Sequence, residues 1–355
     1  MKTALVITTI NKPNKNINSF SLNSKKKNWD FIIIGDKKSP KKFKISYGKY
    51  LDIKKQLQLN LKFAKVCPVN NYGRKNIGYL LAMKDNNVIV ETDDDNFPKK
   101  NFFSHKQINH LSKKIKNIGW VNIYDLFLKK KEFIWPRGLP LDELDNKIQI
   151  ENKKTNNQFL LQQGVCEKNP DVDAIYRLIN ENINVKFKNN KVNLGKSLST
   201  FNSQNTIWFE EIFPLMYLPV TCTMRCTDIW RSLVALRIMK LNNKNILFFG
   251  TTMIQNRNDH DIIADFIDEV PMYQENKFIY NELKKLKLKK GNKFYLKNLY
   301  LCYKKLVDIK IVSKKELIYL KTWIDDCSSL ITNKVYLQKA NLKKLIKIQS
   351  KNFKK

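Results

Sequence analysis

The chain has 355 residues, 43% of them hydrophobic, with 66 Lys+Arg against 32 Asp+Glu and a formal net charge of +34. That length supports one large domain, or one domain with an appendage, and no apolar run approaches the roughly 20 residues of a bilayer span. The positive excess is lysine that travels with asparagine and isoleucine along the whole length, which reads as compositional bias rather than a specific nucleic-acid surface; a soluble, cytoplasmic protein is expected.

In chain order, "ALVITTI" (4–10) is an apolar strand ending in a turn at Asn11 and Pro13. "WDFIIIGD" (29–36) is a second strand, closed by Gly35 and Asp36. Residues 51–66 carry apolar side chains at helical spacing, and "GRKNIGYLLAMKD" (73–85) reads as another helix with Gly78 near its start. "NVIVETDDD" (87–95) is the third strand. Alternating strands and helices predict an α/β class with a Rossmann-type, mostly parallel sheet and flanking helices, whose carboxyl ends line the ligand crevice.

Further on, 118–127 is expected as a strand, 133–144 as a Pro/Gly-punctuated loop, 171–179 as the start of a helix, and 207–220 as buried chain. "TDIWRSLVALRIMKL" (227–241) predicts an amphipathic helix with an N-cap candidate at its start. From about 275 the chain turns helical and lysine-rich, so the division expected is a main domain over 1–275 and a C-terminal helical region over 276–355. Six cysteines, at 67, 166, 222, 226, 302 and 327, form no CxxC pair and are expected to be reduced and packed.

Asp93-Asp94-Asp95 stands out in so basic a chain. Adjacent carboxylates repel unless a cation sits between them. In extended chain, residues i and i+2 point to one side, so Asp93 and Asp95 can share a cavity while Asp94 turns away or serves as an outer partner. Two hard oxygen ligands with open positions suit Mg²⁺ or Mn²⁺ bridging a diphosphate. The competing reading is a solvated acidic turn, or extra negative charge at a helix start. Asp228, at a helix start, is either a cap or a carboxylate that binds an acceptor or serves as general base. Trp230 is a sugar-stacking platform or core.

"IVETDDDN" resembles the aspartate motif of GT-A glycosyltransferases, and "DDD" is the form in the reversibly glycosylated polypeptides. In wording the chain is most similar to the STELLO-type glycosyltransferase-like family. "VITTINKPN", "IIIGDKKSP", "NIGYLLAM", "ETDDDN", "WPRGLPL" and "TDIWRSLVALRI" resemble its segments in order, over roughly residues 1–265.

The resemblance implies a GT-A-like fold and a nucleotide-sugar site. Thr8, Thr9, Ile10 and Asn11 would lie beside the base, and Asp36 would approach base or ribose. Arg74 and Lys75 would contact the diphosphate, with a plain surface role as the alternative. Asp93 and Asp94 would belong to the nucleotide-sugar site, with Asp95, Asp93 and the late His260 as metal ligands. Arg137 in "WPRGLP" sits where mutase-type relatives can carry a sugar on an arginine; Leu139 replaces their aromatic residue, and a structural arginine is the competing reading.

The expected activity is metal-dependent transfer of a sugar from a nucleotide sugar, a UDP-sugar above all, to a hydroxyl of a glycan or lipid-linked acceptor, in surface glycan or polysaccharide synthesis. Mn²⁺ or Mg²⁺ is the expected cofactor, and the basic C-terminal region the expected contact with anionic membrane. The alternatives are a sugar-nucleotide mutase, a metal-dependent nuclease using the same aspartates, and a non-catalytic organiser of other glycosyltransferases.

Overall fold

The computed structural model describes residues 1–180, 182–258 and 261–332. Its first half builds one side of a large sheet. β1 (Thr3–Thr8) is followed by α1 (Lys15–Lys27), β2 (Asp30–Ile34), β3 (Lys49–Leu51), the short helices α2 (Ile53–Leu57) and α3 (Lys62–Val66), α4 (Lys75–Asp85) and β4 (Val88–Thr92). β3, β2, β1 and β4 lie side by side, all parallel, with Thr8 beside Ile34 and Val6 beside Glu91. β1 and β4 are buried nearly end to end, which is why they read as unbroken apolar runs. Gly78 lets α4 lie close on them: a Cβ there would stand 2.6 Å from Val6 Cγ1.

Beyond the aspartates come β5 (Asn96–Pro98), β6 (Asn109–Lys114), β7 (Gly119–Trp120), β8 (Thr155–Gln158), β9 (Leu161–Lys168), α5 (Ala174–Ile179), β10 (Lys191–Asn193), β11 (Ser197–Leu198) and β12 (Asn205–Phe209). The chain continues into α6 (Thr227–Leu241), β13 (Ile246–Gln255), α7 (Ile262–Lys285) and α8 (Tyr295–Asp308). β12 pairs antiparallel with β4, and β9, β13, β10, β6 and β8 extend the sheet from it. β8, β9 and β13 run in the sense of β1; β5, β6, β10 and β12 run against it. The expected α/β class is present, with the Rossmann-type parallel half intact and the sheet as a whole mostly of one sense.

Several local expectations are corrected. Residues 51–66 form the end of a strand and two short helices rather than one helix. Asp52 caps the first helix by accepting from Lys55 N at 2.8 Å, while the second is capped from far along the chain, Asp326 accepting from Lys62 N and Phe63 N at 3.0 and 2.9 Å. The expected strand over 118–127 is only the two residues of β7 followed by a 3₁₀ turn, where Asn122 accepts from Tyr124 N at 3.2 Å. α6 is not amphipathic: twelve of its fifteen residues are buried, so no polar face exists to set a period. Trp230 is core, donating to Asn276 Oδ1 at 3.0 Å.

The expected division at 275/276 falls inside α7. Tyr295, Leu299, Tyr303, Leu306, Leu320 and Trp323 share the hydrophobic core with residues of β1 and β4. Glu316, fully buried, accepts from Tyr217 Oη, Val220 N and Thr221 N at 2.5, 3.0 and 2.8 Å, and Trp323 donates to Pro214 O at 3.2 Å. Burial lifts the Glu316 carboxyl above its ordinary value, with those donors opposing the shift. Among the described residues no helix is long and apolar enough to cross a membrane. Five of the six free cysteines are buried, and Cys222 is partly so.

Candidate functional site

A cavity of about 690 Å³ opens at the carboxyl ends of β1, β2 and β4. Thr8–Asn11, Gly35, Asp36, Asn70–Tyr72, Arg74 and Asp93–Asp95 line it from the first half of the chain, and Arg137, Asp171, Gln204, Met224, Arg225, Asp228, Gln255, Arg257 and Asn258 from the second. Parallel strands make this convergence unavoidable, because every loop leaving their carboxyl ends meets on the same rim. Of the residues expected at the site, Thr8, Thr9, Ile10, Asn11, Asp36, Arg74, Asp93, Asp94, Asp95, Arg137 and Asp228 all line it. His260 lies outside the described residues.

The three aspartates occupy a turn after β4, and each is held differently. Asp93 Oδ1 accepts from Lys75 Nζ at 3.0 Å and Tyr72 Oη at 2.8 Å. Asp94 does not turn away: its Oδ2 accepts from Thr9 Oγ1 at 2.5 Å and Asn11 Nδ2 at 2.9 Å, tying the turn to the first loop. Asn14 caps α1 through Ile17 N at 2.9 Å and also donates to Asp94 O at 3.0 Å, so helix and turn are fixed together. Asp95 Oδ2 accepts from Gln255 Nε2 at 2.9 Å, while its Oδ1 is buried with no hydrogen-bond partner. Burial, with Asp93 and then Asp94 adding repulsion, pushes Asp95 up to about 7. Burial also raises Asp93, with Lys75 opposing it.

The basic pair differs from both readings of it. Lys75 is completely buried and Arg74 nearly so, which removes the surface role. Arg74 turns inward: Nε and Nη2 donate to Gln56 Oε1 at 3.0 and 2.6 Å, and Nη1 donates to Cys67 O at 2.8 Å. The guanidinium fork expected for a diphosphate is thus committed to the scaffold beneath the cavity. Lys75 donates to Asp93, Thr92 O and Tyr72 Oη instead. Asp36 accepts from Asn70 N and Asn71 N at 2.8 and 2.9 Å, so its carboxylate shapes the adjoining loop of the cavity.

Also lining the cavity, Arg137 sits between two carboxylates. Nε and Nη2 donate to Asp171 at 2.9 Å each, and Nη1 and Nη2 donate to Asp228 at 3.1 Å each. All three side chains are about nine-tenths buried. Burial alone would raise Asp171 and Asp228, but Arg137 outweighs it and holds both below the usual carboxylate range. Gly138 adopts φ +90°, and a Cβ there would stand 2.7 Å from Ile229 Cγ2, so the turn that delivers Arg137 needs glycine.

Asp228 is not the helix cap. It lies in the first turn of α6, while Cys226 is the capping position and makes no side-chain cap bond. Asp228 also accepts from Ser203 N at 3.1 Å and Ser203 Oγ at 3.2 Å. Ser203 Oγ in turn lies 2.5 Å from Tyr72 Oη, so a continuous hydrogen-bonded path joins Asp93 to Asp228. Below it, Glu91 and Arg231 form a wholly buried ion pair at 2.9 Å, with Trp208 Nε1 donating to Glu91 at 2.7 Å.

Sequence reasoning missed Asp171, Tyr72, Ser203 and Gln255. Asp171 and Gln255 carry no local motif, and Tyr72 and Ser203 matter only because folding places their hydroxyls 2.5 Å apart.

Among the described residues no three His, Cys, Asp or Glu side chains converge to hold an ion by themselves. The orphan Asp95 Oδ1, on the cavity wall and in a carboxylate short of compensating charge, fits a cation that takes further ligands from a bound molecule.

The resemblance read in the sequence is borne out. The family model of the STELLO glycosyltransferases matches residues 225–349, reaching well into the C-terminal region and past the 1–265 span expected. The chain is 26% identical to "Probable glycosyltransferase STELLO2" of Arabidopsis thaliana over 236 residues, 60% of this chain and 31% of that protein. It is 26% identical to "Probable glycosyltransferase STELLO1" of the same plant over 59% of this chain and 30% of that protein. The matches thus span less than a third of these relatives' length. Among solved structures, a mycobacterial protein aligns with 9% identity and a TM-score of 0.38 over 78% of this chain and 74% of that one. GalNAc-T7 with UDP, GalNAc and Mn2+ aligns with 8% identity and a TM-score of 0.33 over 83% of this chain and 56% of that one.

Proposed function

We propose that this chain is a glycosyltransferase that binds a nucleotide sugar in the cavity at the carboxyl ends of β1, β2 and β4 and transfers the sugar to a hydroxyl acceptor. The observation that carries the proposal is Asp95: a buried carboxylate on the cavity wall, one oxygen unpaired, in a turn anchored to the first loop through Asp94. Asp95 would hold Mn²⁺ or Mg²⁺. When bound, the cation would neutralise charge gathering on the departing diphosphate.

The chain's own residues do the rest. Thr8–Asn11, with Asn70 and Asn71 braced on Asp36, receive the nucleoside end. Lys75 holds Asp93 in place and opposes the upward pull of burial on its carboxyl. Arg137, Asp171 and Asp228 form a rigid polar wall against which the acceptor is oriented. Held below its ordinary pKa, Asp228 is a poor general base, and its role here is positional.

The guanidinium of Arg137 donates through all three nitrogens to partners, which speaks against its carrying a sugar as in the mutase reading. A UDP-sugar donor, a glycan or lipid-linked acceptor, a cytoplasmic location and contact of the basic region from 276 onward with anionic membrane complete the proposal. It is tested by incubating the protein with a panel of nucleotide sugars and Mn²⁺ and measuring released nucleoside diphosphate with and without a saccharide acceptor. Release that requires one donor and rises with an acceptor supports transfer. Ring-isomerised nucleotide sugar without release would instead establish the mutase.

A further inference from the structure

The segment 255–258 folds over the aspartate turn. Asn256 N donates to Asp95 O at 3.1 Å, Asn258 Nδ2 lies 3.4 Å from Asp94 Oδ1, and Gln255 Nε2 donates to Asp95 Oδ2 at 2.9 Å. With Asp95 ionised, as a cation's ligand is, its carboxylate only accepts, and that bond then fixes which end of the Gln255 amide is nitrogen. The oxygens left over, Asp95 Oδ1 and Gln255 Oε1, are both buried and both without a hydrogen-bond partner, on two side chains that touch and line the cavity. A buried polar atom left unpaired costs its full desolvation, and here two side chains bonded to each other each keep an acceptor with no donor.

A hard cation resolves both at once, since amide and carboxylate oxygens are its ordinary ligands. Resting on the cation reading above, we propose that Gln255 is a ligand of the divalent cation, its Oε1 binding beside Asp95 Oδ1. Lys75 and Tyr72 occupy Asp93 Oδ1, and Thr9 and Asn11 occupy Asp94 Oδ2. One oxygen of each of those carboxylates is thus taken by the protein, while Asp95 Oδ1 and the neutral Gln255 Oε1 are buried without a partner, so ion affinity in the absence of a diphosphate is low. Charge count at the ligands is what tunes such sites, so adding one should show directly.

The test titrates the full chain with Mn²⁺ alone, following free Mn²⁺ by its electron paramagnetic resonance signal, with circular dichroism to confirm folding. Gln255→Glu is expected to bind Mn²⁺ about tenfold more tightly than wild type, and Gln255→Leu about tenfold more weakly. Gln255→Glu should also melt earlier than wild type without Mn²⁺, because two carboxylates then face each other, and recover when Mn²⁺ is added. Asp95→Asn separates the two readings. If it abolishes binding while both Gln255 variants bind like wild type, Gln255 is not a ligand and the Asp95 site stands. If Asp95→Asn binds like wild type, or wild type binds no Mn²⁺ at millimolar concentration, the cation reading and this inference fall together.

Discussion

Lys75 Nζ lies 3.0 Å from Asp93 Oδ1, with the lysine side chain wholly excluded from solvent and the aspartate facing the cavity. The first aspartate of the triplet thus has its counter-ion inside the protein. Lys75→Met should strand Asp93 beside the other two carboxylates and lower unfolding stability by about 3 kcal/mol, the scale for breaking one side of a buried pair. Adding Asp93→Asn should restore much of that loss. A double-mutant cycle by denaturant melts measures the coupling, and additive effects would contradict it.

The Arg137 wall makes a second prediction. Asp228→Asn leaves an oxygen for Ser203 but removes one of two charges from a buried guanidinium. It should cost about 1–3 kcal/mol in unfolding stability, read in a urea melt. A variant with unchanged stability would show that Asp171 satisfies Arg137 alone.

Much of this was legible in the sequence because parallel strands write themselves as apolar runs and their carboxyl ends must converge. "ALVIT", "FIII" and "VIVET" therefore located Thr8–Asn11, Asp36 and Asp93–Asp95 together. What the sequence hid were partnerships between distant residues. Nothing near Lys62 announces that Asp326 caps its helix, nothing in "GRKN" says that Arg74 points inward, and "TDIWRSLVALRIMKL" reads as amphipathic although the fold buries α6 on nearly every side.

The C-terminal helices supply a third prediction. Ending the chain after residue 275 would cut α7 and remove Glu316, Trp323 and Asp326, which hold the 214–221 segment and cap α3. That truncation should be insoluble or lack a cooperative melt. A soluble, cooperatively melting 1–275 fragment would show the region to be an independent appendage.

Lys106 gives a pH prediction. Burial pushes its ammonium down to about 7, and it packs over the Trp29 and Phe102 rings with Phe102 O as acceptor. A lysine depressed on folding imposes its full penalty below about 7, and the penalty fades as pH climbs toward the unfolded value near 10.4. Lys106→Met should therefore raise Tm most at pH 6.5 and least at pH 9.5, tested by melts across roughly that range. A gain independent of pH would mean the ammonium is not desolvated.

The central claim is that Asp95 brings a cation and a nucleotide sugar together in the cavity at the strand ends, and thermal melts with a nucleotide-sugar panel test it most directly. With Mn²⁺ present, one donor at 100 times its Kd should stabilise the wild-type chain by about 2.7 kcal/mol. The shift should vanish when Mn²⁺ is chelated and in Asp95→Asn, whose own melt without ligand should be at least as high as wild type, since burial and neighbouring charges already oppose ionisation at Asp95. A donor-dependent shift of equal size in Asp95→Asn, or no shift with any donor, would contradict the account.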